Sequence, residues 1–140
     1  MKNDRTERGL QVFDELMGEG ASAKMRDAMS STGFGSAIAQ MATHYAFADV
    51  WGRDGLERKQ RSLVVIGVLI AQRQILELKN HIRIGIRNGL TARDIEEALI
   101  QTLPYVGFPA VASATTAIVE VLRELGIDTE TRTSEERGML

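Results

Sequence analysis

The chain has 140 residues and a formal net charge of −2 at pH 7. Its length suits one compact domain, and its charge argues against a general nucleic-acid-binding protein. It contains no cysteine, which excludes disulfides, thiolate metal sites and cysteine nucleophiles. The charged N-terminus and the short apolar run at 63–71 predict neither a signal peptide nor a membrane span, so a cytoplasmic protein is expected.

Apolar residues at helical spacing, separated by glycines, predict an all-α chain of six or seven helices. Ser22 and Ser36 are expected to cap the second and third helices, Thr91 with Asp94 to form a capping box, and Pro104 to end the sixth helix. Pro109 is expected at the first position of the last helix, which Gly126 would end. The predicted helices cover residues 10–17, 22–29, 36–51, 57–73, 74–88, 91–103 and 109–126.

The apolar run at 63–71 is rich in β-branched residues and resembles a buried strand by composition. We predict a buried helix instead, because a charged segment leads into the run without a turn signal and the chain offers no second strand. The even spread of apolar residues predicts cover on all sides, part of it from a partner subunit. The predicted organisation is an N-terminal helical segment (1–33), a helical domain (34–126) and a polar tail (127–140), flexible or reaching across a neighbouring subunit.

The helix predicted over 74–88 carries the most informative side chains. Gln74, Glu77 and His81 fall within about 60° of one another at 100° per residue. Glu77 and His81 are four residues apart, so the carboxylate is expected to orient the imidazole and raise its pKa, which suits acid–base catalysis near pH 7. The alternative is a plain surface pair. The other flank is basic and is expected to be solvated or intersubunit: Lys79, Arg83 and Arg87.

Three further side chains are candidates for binding a ligand. Arg61 precedes the buried run and could bind a carboxylate at a pocket mouth, or form an interhelix salt bridge. Tyr105 lies in a predicted helix break that could aim its hydroxyl inward, or it could lie at the edge of the core. His44 shares a helix face with Trp51, so a packing role is the alternative to a binding role.

Three blocks of the sequence together resemble the carboxymuconolactone decarboxylase family. They are residues 43–71 with W-x-R-x-G-L, residues 77–101 with H-x-R-x-x-x-x-N-G, and residues 105–122 with Y-x-G-x-P. The similarity spans about residues 34–125. It implies an all-α, alkylhydroperoxidase-like fold and a homo-oligomer, often a trimer or hexamer.

The family resemblance implies two chemical branches. Peroxidase members carry C-x-x-C-x-x-x-H, and here Gln74 and Glu77 stand at the two cysteine positions while His81 remains. Because no thiolate exists to attack a peroxide, thiol peroxidase activity is excluded. The decarboxylase branch has a Glu four residues before the His, as Glu77 is here. It also has the approach R-K-x-R-S, which appears here from Arg58 to Ser62.

The decarboxylase branch implies conversion of 4-carboxymuconolactone to the β-ketoadipate enol-lactone and CO₂ in aromatic catabolism, with no cofactor or metal. His81 would donate the proton and Glu77 would hold it in place. The alternatives are a related lyase or isomerase acting on another lactone or keto acid, and a non-catalytic, oligomeric ligand-binding protein. The expected partners are an anionic lactone and further copies of the chain, with no nucleic acid or membrane. The residues expected to bind the substrate are Arg61, Arg58, Tyr105 and His44.

Overall fold

The computed structural model describes residues 4–140, which contain seven α-helices and no strand. This confirms the all-α prediction, including the helical conformation of the apolar run at 63–71. None of the helices in this described part combines the length and the apolar character needed to cross a membrane. The helices are α1 (Asp4–Met17), α2 (Ala21–Ser30), α3 (Ser36–Met41), α4 (Arg58–Gln72), α5 (Ile75–Arg87), α6 (Ala92–Val106) and α7 (Phe108–Glu124), and α3 continues directly into a π-helix (Ala42–Trp51).

The chain forms two compact units, which divide after Arg58. In the first unit α1 crosses the π-helix closely, because Gly9 has no side chain and a Cβ there would overlap the carbonyl oxygen of Thr43. The rings of Phe13 and Phe47 meet edge to face, with centroids 5.0 Å apart. The domain boundaries predicted after residues 33 and 126 remain predictions.

The two serines predicted as helix caps do not act as caps. Gly20 and Gly35 occupy the capping positions with positive φ angles of 87° and 96°. This left-handed conformation, which glycine tolerates, turns the chain straight into each helix. Ser36 is therefore the first helical residue. Ser22 bonds instead to Asp14 of α1 through both its backbone N–H and its hydroxyl.

The second unit is built around one apolar core to which α4, α5, α6 and α7 all contribute. Lys79 and Arg83 of α5 form ion pairs with α7, at 2.5 Å to Glu120 and 2.8 Å to Glu124. These two residues were expected on a solvated or intersubunit face, and the structure shows them in partly exposed ion pairs with α7 of the same chain. The central core residues are Ile66, Ile70, Leu78, Ile82, Ile95, Leu99, Ala114, Ile118, Val121 and Leu122.

Three helix boundaries of the second unit test the sequence rules. The capping box of Thr91 and Asp94 is confirmed, with both hydrogen bonds present. The predicted break at Pro104 is wrong, because α6 runs through the proline and ends before Gly107, whose φ is 87°. Proline removes one backbone donor in the last turn of α6, but Gly107 still bonds to the Leu103 carbonyl at 3.0 Å. Pro109 lies at the second position of α7, one later than predicted.

The C-terminal segment after α7 makes an ion pair and hydrogen bonds within its own chain, whereas its expected flexibility or reach across a neighbouring subunit remains a prediction. Arg123 of α7 pairs with Glu136 at 2.7 Å and donates to the carbonyl of Thr131. The carboxylate of Asp128 accepts hydrogen bonds from the backbone of Glu130 and from the backbone and hydroxyl of Thr131. Short polar side chains thus supply the local hydrogen bonds that order this segment.

Candidate active site

The pair Glu77 and His81 lies on α5, which two buried side chains hold in the core. Leu78 and Ile82 are each 0% exposed and fix the rotation of the helix. Glu77 is exposed in the first turn, whereas His81 is half-buried one turn later and its Nδ1 atom is buried. The charge of Glu77 acts on the imidazole. The structure therefore brings together the two residues that the sequence placed on one helix flank.

The pKa of His81 shifts in the direction opposite to the prediction. Burial is the larger effect and lowers the pKa below the ordinary 6.5, while the negative charge of Glu77 raises it and offsets part of the loss. The prediction of a raised pKa considered the charge of Glu77 but not the burial of the His81 ring, which removes water from around it. The imidazole is consequently neutral at pH 7 when no ligand is bound.

Arg61 lies on α4, the helix that packs antiparallel to α5. The half-buried Arg61, whose Nε atom is buried, precedes Ser62, and the hydroxyl of Ser62 accepts a hydrogen bond of 2.9 Å from the side-chain amide of Asn88. Asn88 comes seven residues after His81, which corresponds to about 10 Å along a helix axis. The structure thus places Arg61 on the same helix pair as His81, about two turns away.

Tyr105 does not lie in a loop, and its predicted inward orientation is wrong. The residue belongs to the last turn of α6, because that helix continues through Pro104. Its side chain is 82% exposed. A role of Tyr105 in this chain's own site therefore has no support from the described contacts.

Arg58 and His44 belong to the first unit, where each has a structural partner. Arg58 forms an ion pair of 2.8 Å with Glu15 and donates to the carbonyl of Trp51. The Nε2 atom of His44 lies 2.7 Å from the hydroxyl of Thr6. Their predicted contacts with a substrate remain predictions.

The second unit also contains an open groove between α4 and α6, with a volume of about 350 Å³. Leu63 and Gly67 line it on α4, and Asp94 and Glu97 line it on α6, whereas neither Glu77 nor His81 takes part. Two carboxylates repel an anionic ligand. The groove is therefore a poor site for an acid.

Asn88 is a residue that the sequence analysis interpreted only as a helix end. The N-G sequence at 88–89 indicated a helix terminus, and Gly89 does follow α5 with a φ of 104°. The side chain of Asn88 does more, because it bonds to a fully buried hydroxyl on the neighbouring helix. Its partner could not be identified without the packing of α4 on α5.

Comparison with known proteins agrees with this geometry. The model of the carboxymuconolactone decarboxylase family matches residues 36–120, which include α4, α5 and the pair Glu77 and His81. The chain belongs to this family. It is a member without cysteine, so it lacks the thiol chemistry of the peroxidase branch.

Two proteins to which the chain is similar are decarboxylases. The chain is 33% identical to a 4-carboxymuconolactone decarboxylase from Acinetobacter baylyi over 126 residues, which cover 90% of this chain and 92% of the relative. It is 37% identical to a nitrosuccinic acid decarboxylase from Metarhizium robertsii over 107 residues, which cover 76% and 73%. The similarity to family members predicted from the sequence motifs is therefore confirmed.

Proposed function

We propose that this family member is a cytoplasmic decarboxylase that acts on a small dicarboxylic acid without a cofactor. The observation that carries the proposal is the half-buried His81 beside Glu77. By the family resemblance, Glu77 stands at one of the two positions where the peroxidases have cysteine, and His81 is the histidine that they share. The preferred substrate is 4-carboxymuconolactone, because the relative that acts on it matches nine-tenths of the chain. Nitrosuccinic acid is the second candidate, since the other relative is more identical over a shorter range.

The two candidate substrates share a chemical logic. Each is a dicarboxylic acid with an electron acceptor next to the carboxylate that leaves: a lactone carbonyl conjugated through an alkene, or a nitro group. When the C–C bond to CO₂ breaks, its electron pair moves into the acceptor and forms a dienolate or a nitronate. The site must stabilise this anion and then supply one proton to carbon.

We assign the proton donation to His81 and the orientation of its ring to Glu77. His81 is neutral at pH 7 without a ligand because burial lowers its pKa. A bound dianion would reverse this effect, since nearby negative charge favours the imidazolium. His81 would then take up a proton as the substrate binds. The negative charge of the substrate would thus produce the imidazolium that later donates the proton.

Arg61 is the proposed anchor for the carboxylate that remains in the product. Its guanidinium is always charged and matches a carboxylate with two parallel hydrogen bonds. Its location about two turns from His81 separates the anchor from the proton donor. A site with this separation favours an acid in which the carbon that takes the proton lies several bonds from the retained carboxylate.

We also propose that the protein works as a homo-oligomer, a trimer or a hexamer, in which a second copy covers surfaces left open in the single chain. Large apolar side chains remain exposed in both units: Phe34, Ile38, Met41, Tyr45, Val64, Val68, Leu76, Ile100, Tyr105 and Phe108. Such a number of exposed side chains is typical of an interaction surface. Size-exclusion chromatography with light scattering would test this, and a monomer at micromolar concentration would contradict it.

The proposed activity is tested by incubating the purified protein with each acid and measuring CO₂. We expect release from 4-carboxymuconolactone, and an Arg61→Gln variant should raise KM at least tenfold because the carboxylate loses its bidentate partner. Arg87→Gln, an exposed arginine on α5, is the matched control and should behave as the wild type. Absence of CO₂ from both acids would contradict the proposal.

A further inference from the structure

A polar pair with a fully buried hydroxyl joins the two helices that carry the proposed site residues. Ser62 on α4 is 0% exposed, and its hydroxyl oxygen accepts a hydrogen bond from Nδ2 of Asn88 at the end of α5. Ser62 directly follows Arg61, and Asn88 ends the helix of His81. We propose that the pair of Ser62 and Asn88 is a positioning device that fixes the spacing between Arg61 and His81 and thereby selects acids by length. The inference rests on the proposed function.

The contacts of α4 with α5 define how the two helices align. Ile66, one turn after Ser62, packs at Gly85, where a Cβ would lie only 3.4 Å from its Cδ1 atom. Moving one turn forward on α4 therefore corresponds to moving about one turn back on α5, as in an antiparallel pair. Each residue of α5 is rotated by about 100° around the helix axis. Viewed along this axis, Asn88 and Gly85 lie about 20° and 40° from His81. His81 thus lies on the line of α5 that faces α4.

A directional bond restrains this alignment in a way that apolar contacts do not. Aliphatic side chains of both helices, among them Ile66 and Ile70 of α4 and Leu78 and Ile82 of α5, share one core, and hydrophobic burial has no preferred direction. A hydrogen bond weakens steeply when its distance or angle changes. A slip of α4 by one residue would shift Arg61 by about 1.5 Å and rotate it by about 100° around the axis.

A merely structural role would not require hydrogen-bonding groups at this position. Replacing both partners of a buried hydrogen bond by apolar groups of similar shape is often nearly neutral for stability. The double variant Ser62→Ala/Asn88→Leu therefore separates the two roles, because it removes the directional bond without leaving a buried polar group unsatisfied. The exchange Ser62→Asn/Asn88→Ser keeps one amide and one hydroxyl and serves as the rescue variant.

The test compares 4-carboxymuconolactone and nitrosuccinic acid. Their two carboxylates have the same spacing, but the carbon that takes the proton lies farther from the retained carboxylate in the lactone, and this distance is the length meant here. For each variant we would measure kcat and KM with both acids, together with the unfolding midpoint. We expect the double variant to raise KM for the preferred acid about five- to tenfold, to change kcat less than twofold, and to bring the kcat/KM ratio of the two acids closer to one. The exchange variant should recover at least half of the lost discrimination.

The control is Thr102→Val, which removes a half-buried hydroxyl of α6 that bonds within its own helix to the carbonyl of Leu99. It should leave both KM values unchanged. A double variant with wild-type KM values and an unchanged ratio would overturn the inference, whatever its unfolding midpoint.

Failure of the proposed decarboxylase activity can be distinguished from failure of the positioning role. If the wild type releases no CO₂ from either acid, calorimetric binding of the two acids still reports the length preference, and an unchanged preference in the double variant overturns the positioning role. If the double variant does not fold, the single variant Asn88→Gln keeps the amide but moves it by one methylene, and it must shift the preference. Wild-type preference in Asn88→Gln would also overturn the inference.

Discussion

Binding of a dicarboxylate should make the protein take up a proton at His81. Burial holds the pKa of the free side chain below 6.5, so at pH 7.5 fewer than about one site in ten is protonated. Two carboxylates near the ring should raise this pKa, because nearby negative charge favours the imidazolium. The expected result at pH 7.5 is therefore a net uptake of a fraction of a proton per site.

Isothermal titration calorimetry measures this uptake directly. Succinate is a suitable probe because it carries two carboxylates but no electron acceptor that would permit decarboxylation. The binding enthalpy is compared in phosphate and Tris, whose ionisation enthalpies differ, and the slope gives the number of protons transferred. His81→Gln should abolish the uptake. Leu76→Ala, which changes an exposed side chain on the same helix, is the matched control and should keep it.

A zero slope in the wild type would refute the reasoning, since it would mean that the bound anion does not charge the imidazole. An unchanged slope in His81→Gln would also refute it, because another group would then carry the proton. Either result would remove the physical basis for assigning the donor to His81.

Two further predictions concern stability. Because the folded pKa of His81 lies below the unfolded value near 6.5, its contribution is fully present above pH 6.5 and is lost as the pH falls towards the folded pKa. The unfolding midpoint should fall with pH in this window, and a His81→Gln variant with the same slope would contradict this. Ile82→Ala, at a position 0% exposed, should lower the free energy of unfolding by about 2–5 kcal/mol. Leu76→Ala, on the same helix and 73% exposed, should change it by less than about 0.5 kcal/mol, and equal losses in urea denaturation would contradict the assigned core.

The parts of the fold that depend on local chemistry could be predicted from the sequence. The capping box of Thr91 and Asp94 and the positive φ of Gly89 follow from residue types at fixed offsets, and both occur as expected. The predicted break at Pro104 was wrong because the rule for proline considers only the residue type. The last turn of a helix tolerates a proline, and α6 continues through it. The π-helix from 42 to 51 was not predicted, since its apolar residues also fit the α-helical period.

Within the candidate site, the sequence predicted contacts between residues of one helix but not contacts between helices. Glu77 and His81 are neighbours by helical spacing alone, so the sequence was sufficient to pair them. The direction of the pKa shift depends on how much of the ring the other helices bury, which no pattern within α5 reveals. The partner of Asn88 likewise lies 26 residues away on α4. Exposure of Tyr105 follows from the path of the chain through Pro104, which the sequence rules placed wrongly.

The central claim, that His81 supplies the proton in a decarboxylation, is tested most directly by CO₂ release from 4-carboxymuconolactone with the wild type and His81→Ala. The account predicts a loss of at least about 100-fold in kcat, within the range for a missing general acid, in a variant whose circular dichroism remains helical. A folded His81→Ala protein that keeps the full rate would contradict the account.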